Sequence, residues 1–223
     1  MTKKLILLFF LQLTFCLVAV SQSYLGVKKG VSFSKVQFKD VDPNFGIQIS
    51  QEPIQGAVTG IFFKIMQERH AGMQFEVNIT DKGWTQLIHE DFNYETQLRY
   101  LNIYTQTHLA LGNTKFRIFL IGGPFLNYLM KVKSSEIPEI YEEDVSFIYN
   151  EEDDNSWEVG LGGGGGFVYD SKIGSFQLEA KVNMGLSNIL NKLGDTDPEF
   201  SRNQGLEICL IYMYALSGKP RDQ

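Results

Sequence analysis

The side chains with the means to do chemistry are few. Glu76, Glu179 and Lys181, joined by Lys64 and Arg117, place two carboxylates and several bases in one alternating pattern, the raw material of an acid/base site. In a narrow interior the same groups more commonly pair as a structural ion network. The histidines His70, His89 and His108 show no His-x-x-x-His spacing, which leaves zinc unsupported. Gly160-Leu-Gly-Gly-Gly-Gly165 satisfies the dinucleotide pattern in form. Phe167-Val-Tyr follows it as a strand, however, so no helix N-terminus would meet a phosphate. Glycine here suits a tightly curving wall with bulky neighbours inside it. No serine or cysteine nucleophile motif appears. The acidic stretch from Glu136 to Asp154 lacks the Asp-x-Asp-x-Asp-Gly spacing of a calcium loop and reads as a solvated charge run. Aromatic residues interrupt it, and Tyr141, Phe147 and Tyr149 are expected to offer a contact surface for a partner. The sequence therefore predicts no catalytic, cofactor-binding or metal-binding residue, and a protein that is not an enzyme.

The elements that must hold these residues are strands. From Ser175 to Leu186, Phe176, Leu178, Ala180, Val182, Met184 and Leu186 alternate with Ser175, Gln177, Glu179, Lys181, Asn183 and Gly185. A period of two over this length means a β-strand with one apolar and one polar face. His70–Thr80 repeats the pattern, with Met73, Phe75, Val77 and Ile79 opposite Gln74, Glu76 and Asn78. Further strands are expected at 25–36, where Lys29 breaks the apolar set, and at 54–66, where both faces are apolar. Others are expected at 98–109, 115–130 with an interruption at Gly122-Gly123-Pro124, 157–169, and 205–214.

Composition narrows the setting. The 223 residues carry 21 Gly and a formal charge of −6, which argues against a nucleic-acid partner. Lys3 and Lys4 precede an uncharged run from Leu5 to Val20, and small residues at Ala19 and Ser21 mark a cleavage site. Residues 1–21 are thus expected to be a secretory signal peptide. Residues 22–215 are expected to form one domain and 216–223 a short tail. Only Cys209 would remain after cleavage, so no internal disulfide framework is expected.

Eight strands with connections alternating long and short predict an all-β fold, an eight-stranded antiparallel up-and-down transmembrane β-barrel. The long connections are expected at 37–53, 81–97, 131–155 and 187–203. Met73, Phe75, Val77, Ile79, Phe176, Leu178, Val182 and Met184 are then lipid-facing. Gln74, Glu76, Asn78, Gln177, Glu179, Lys181 and Asn183 line the lumen. Alternation alone does not give the sign of the faces, and the alternative is a soluble periplasmic lipocalin-like barrel that binds an apolar ligand inside.

Several stretches resemble one family: Gly26-Val-Lys-Lys-Gly-Val-Ser-Phe-Ser34, Tyr100-Leu-Asn-Ile103, Leu120-Ile-Gly-Gly-Pro-Phe-Leu-Asn-Tyr-Leu129, Gly160 to Gly166, and Glu179-Ala-Lys-Val-Asn-Met-Gly-Leu-Ser-Asn-Ile189. Over residues 24–215 the chain is similar to the outer-membrane β-barrel domains labelled PorT-like. That resemblance implies a barrel in the outer membrane of a Gram-negative bacterium, within a family whose founding member is tied to protein secretion. It departs from the usual pattern at its end, where Ala215 to Gln223 follow Tyr214. The expected function is structural, adhesive or secretion-accessory, exerted through the long outer loops. Expected partners are outer-membrane lipid and an envelope or secretion-system protein. On fractionation the protein should follow the outer membrane and resist carbonate washing. Recovery in the soluble periplasm would contradict the reading.

Overall fold

Hydrocarbon offers no water to an unpaired peptide group, so strands cross a membrane only when their sheet closes on itself. The computed structural model describes residues 22–39, 51–67, 70–89, 92–113, 115–142, 145, 147–191 and 200–217, and shows that closure. The expected signal peptide, residues 1–21, and residues 218–223 lie outside the described residues. The strands are β1 (Gln22–Lys39), the two-residue β2 (Gln51–Glu52), β3 (Ile54–Met66), β4 (Ala71–His89), β5 (Phe92–Gly112), β6 (Phe116–Ser134), β7 (Trp157–Ser171), β8 (Gly174–Gly185) and β9 (Phe200–Ser217). Apart from β2, a small addition against β4, there are eight long antiparallel strands. Each pairs with the next in the chain, and β9 returns to β1.

The register fixes the tilt. Ser23 pairs with Ile65, Ile65 with Met73, Met73 with Thr107 and Thr107 with Gly122. The circuit continues through Gly163, Val182 and Leu206 and arrives at Phe33, ten residues further along the strand on which it began. Such a stagger over eight strands tilts them by about 40° and leaves an interior only wide enough for side chains. On β5 the outward row from Leu111 to Leu101, four aliphatic residues and two threonines, then rises about 25 Å, the height of a hydrocarbon band.

The faces have the sign of a membrane protein. Val27, Ile61, Ile103, Leu120, Leu161, Val182 and Leu210 are exposed on the outer wall. Phe116, Tyr169 and Tyr214 gather towards the short-turn end, and Tyr128 and Trp157 meet at a ring distance of 4.7 Å, tilted by 49°, towards the other. Met73, Val77, Ile79, Leu178, Val182 and Met184 lie exposed on this wall. Phe75 and Phe176 share it, half-covered by Phe63 and Tyr212 at ring distances of 6.5 and 5.3 Å. The interior carries the charges. A soluble barrel holding an apolar ligand needs the opposite arrangement, so that alternative falls.

Two expectations need correction. Residues 81–97 are not a long loop: β4 and β5 stay paired from Asp81↔Arg99 through Leu87↔Asn93, and only residues 90 and 91 separate them. The polar composition reflects water on the outside of this arm, while Trp84, Tyr94, Thr96 and Leu98 remain buried on its inner side. Several strands consequently run to 18–21 residues, past the hydrocarbon layer. β9 likewise continues to Ser217, two residues into the stretch expected as a tail. The weak alternation of β3 has its own cause. Phe62 and Met66 point inward as part of an apolar plug, so both faces of that strand are apolar.

Within the outer apolar row of β1, Lys29 stands between Val27 and Val31, exposed, opposite Thr59 and Leu210. A charge facing lipid near mid-depth costs about 2–4 kcal/mol. Replacing it, Lys29→Leu, should therefore raise folding stability in phospholipid vesicles by about that amount on a urea titration. Val182→Arg should lower it similarly, and Ile173→Arg, in the turn between β7 and β8, by no more than about 1 kcal/mol.

Candidate functional site

Strand alternation delivers every second side chain of eight strands into one narrow lumen, where charges persist only when paired. Four lysines (Lys28, Lys64, Lys82, Lys181) and four glutamates (Glu76, Glu158, Glu179, Glu207) are buried there, an even balance. At the centre, Lys28 Nζ donates to Glu76 Oε2 and to Glu179 Oε1, both at 2.7 Å. Lys181 Nζ reaches the same Glu76 oxygen at 3.1 Å and Glu207 Oε2 at 3.5 Å, and lies 3.6 Å from the centre of the Tyr104 ring.

Amides complete the set. Gln74 donates to Glu76 and Glu179 at 2.6 and 3.0 Å, Asn78 to Glu76 at 2.8 Å, Gln177 to Glu179 at 3.0 Å, and Asn183 to Glu207 at 2.9 Å. The structure thus brings Gln74, Glu76, Asn78, Gln177, Glu179, Lys181 and Asn183 into one connected network. Lys64 joins it through Gln177 at 3.2 Å, whereas Arg117 pairs lower down with Asp170. A second layer nearer the loops holds Glu158, which accepts from Asn127 at 2.7 Å and Asn203 at 3.1 Å with Lys82 at 3.9 Å.

Lys28, Glu207, Lys82 and Glu158 were not assigned to the lumen from sequence. The signal was present as parity, since Lys28 shares the inner face of β1 with Ser32 and Ser34, and Glu207 alternates with Leu206 and Ile208. The glycine run lies within β7, and no helix follows it. Its inward members make room: a Cβ on Gly160 would stand 2.2 Å from the Phe125 ring, and one on Gly162 would stand 2.7 Å from the Asn183 amide oxygen. The histidines are scattered, His70 bonded to the Ala110 carbonyl, His108 stacked on Phe119, and His89 near the tip of the arm.

Apolar layers close both ends of this network. Towards the short turns Tyr24, Phe62, Met66, Phe119, Ile121, Ile211 and Met213 pack together. At the other end Val36, Trp84, Leu98, Tyr100 and Leu129 meet Phe147, Tyr149, Ile189 and Leu190, which come from the connections after β6 and β8. Phe147 stacks on Phe38 at 4.5 Å, and its carbonyl accepts from Gln86 at 2.7 Å. The Tyr149 hydroxyl donates to the Asn155 carbonyl, and burial together with nearby Asp154 pushes its pKa up to about 12. Expected on an outward contact surface, Phe147 and Tyr149 are instead buried as a cap, because the chain folds back to cover the apolar mouth. Of the expected aromatic surface only Tyr141 remains half-exposed, stacked on Phe92 at 5.0 Å. Within the acidic stretch, Asn150 to Asp154 form hydrogen-bonded turns, and Asn191 donates to Asp154 at 2.8 Å.

Chemically, both oxygens of Glu76 and of Glu179 are engaged by lysine and amide donors, and neither carboxylate has an exposed face. The arrangement holds charge in place.

The sequence model of the family described as "Outer membrane protein beta-barrel domain" matches residues 20–191. No curated protein matches the sequence. Among solved structures, the chain is similar to the outer membrane protein OprG from Pseudomonas aeruginosa at 10% identity, over 87% of this chain and 96% of that one, with a TM-score of 0.51. It is also similar to Neisserial surface protein A (10% identity, 85% and 97% covered, TM-score 0.47) and to the attachment invasion locus protein Ail of Yersinia pestis (11%, 86% and 99%, 0.44). At 10% identity the likeness to OprG is one of fold alone.

Removing one member of a buried ion network strands its partners. Lys28→Met leaves Glu76 and Glu179 facing each other and should cost about 3–5 kcal/mol on urea unfolding in vesicles. Adding Glu179→Gln should recover much of that loss, because the unpaired charge is then removed.

Proposed function

The chain belongs to the outer membrane protein β-barrel domain family and resides in the outer membrane, and from that premise we propose that it is a closed, non-enzymatic barrel. In this reading it acts at its outer end as a structural, adhesion or secretion-accessory element. The carrying observation is the filled lumen, with a paired Lys–Glu core between two apolar plugs, which leaves no aqueous path through the lumen and no accessible acid or base in it among the described residues. What remains available is outside. Beyond the wall, the β4–β5 arm brings His89 and Phe92 against Tyr141, and Ile140 beside them is 78% exposed. An exposed isoleucine beside aromatic rings where the connection after β6 meets the arm suits contact with another envelope protein or a surface polymer. The PorT-like stretches favour a secretion-linked partner within that choice.

Two measurements test this. In planar bilayers the purified protein should give no stable conductance, and a steady channel would contradict a closed barrel. Photo-cross-linking from position 140 in intact cells should capture an envelope component, while cross-links confined to wall positions such as 182 would overturn the outer-end assignment.

A further inference from the structure

On the outer wall, just where the apolar band ends, β5 and β6 set like charges side by side. Arg99 pairs directly with Lys131, and Gln97 with Lys133, in the cross-strand register. Like charges directly opposite on one sheet face repel, and a sheet tolerates them at a cost unless an anion lies between them. One carboxylate is at hand: Asp81 on β4 accepts from Arg99 Nε at 2.7 Å and from its Nη2 at 3.0 Å. That bidentate contact fixes the guanidinium and consumes the carboxylate. Lys131 and Lys133 are exposed and have no ion pair among the described residues. Glu95 lies further up β5, where its backbone is joined to Ser135. The three cations and Asp81 thus leave an excess of about two positive charges around a shallow depression lined by Asp81, Gln97, Arg99, Lys131 and Lys133.

Depth identifies what meets this depression. Immediately below it the wall carries Ile79, Leu101 and Met130, and beside it stand Tyr128 and Trp157 in ring contact, the aromatic pair that marks a membrane–water boundary. The long connections and the arm are on this side, so the boundary is that of the outer leaflet. A group at this height is a lipid headgroup, and an excess of cations selects an anionic one. We propose that Arg99, Lys131 and Lys133 form a binding site for the phosphate groups of the outer-leaflet glycolipid, with Asp81 positioning Arg99. The cross-strand repulsion of Arg99 and Lys131 is relieved when a phosphate bridges them.

The test uses the full-length protein in detergent with defined lipid A. The double variant Lys131→Gln/Lys133→Gln leaves the Arg99–Asp81 pair intact, and its folding is checked by heat-modifiable gel mobility. Native mass spectrometry should show diphosphoryl lipid A bound to the unaltered protein, and binding about thirtyfold weaker in the variant. Dephosphorylated lipid A should bind both proteins equally poorly, and raised salt should weaken the phosphorylated lipid's binding to the unaltered protein. Equal affinity of the two proteins for diphosphoryl lipid A, or no preference for the phosphorylated form, would overturn the proposal. If inorganic phosphate alone reproduced the lipid's thermal stabilisation, the glycolipid assignment would likewise fail. Should the double variant not fold, Lys133→Gln alone gives the same comparison with a smaller expected loss.

Discussion

A closed ring of eight tilted strands satisfies every ladder hydrogen bond inside a solvent that offers none, and the remaining architecture follows from that closure. At a stagger of ten residues the ring is too narrow for a water column, so whatever points inward must pack against whatever else points inward. Charges in such a space persist as partners or not at all. Lys28 between Glu76 and Glu179, with Lys181 against Glu76 and Glu207, is the form this constraint takes here. These bonds tie β1, β4, β8 and β9 together through their side chains as well as their backbones.

The cylinder is divided along its axis. The short-turn end is plugged by apolar side chains, the middle by the ion network, and the outer mouth by a second apolar cluster supplied partly by the connections after β6 and β8. The cap explains why Phe147 and Tyr149 are buried despite standing among acids in sequence. An apolar mouth facing water is covered by whichever chain can reach it. Outside, the division is radial as well as axial. An apolar wall gives way at one level to Asp81, Arg99, Lys131 and Lys133, and then to an arm with a polar outer side. The residues that hold the barrel together are therefore separate from those exposed at its outer rim.

Much of the fold was legible in sequence. The alternation of Ser175–Leu186, of Met73–Ile79 and of Leu206–Tyr214 identified strands and their two faces, because successive side chains of a strand point to opposite sides. The lumen residues Gln74, Glu76, Asn78, Gln177, Glu179, Lys181 and Asn183 were legible from the same parity. The arm at 81–97 was not. Once a strand leaves the membrane its outer face turns polar, and its composition then looks like that of a loop although Trp84, Tyr94 and Leu98 keep the rhythm. Phe62 and Met66 blurred the alternation of β3 without hiding the strand, since an apolar plug erases the contrast between faces.

Local pattern, then, sufficed for strand identity, for the order of the strands and for a charged set sharing one face, since all three depend on covalent geometry and a period of two. Which face looked outward, which glutamate met which lysine, and whether the loops stood free or folded into the mouth were settled only by closing the ring. Those outcomes depend on register between strands far apart in the chain, as with Lys28 and Glu179, and an amino-acid sequence states no distances between such residues.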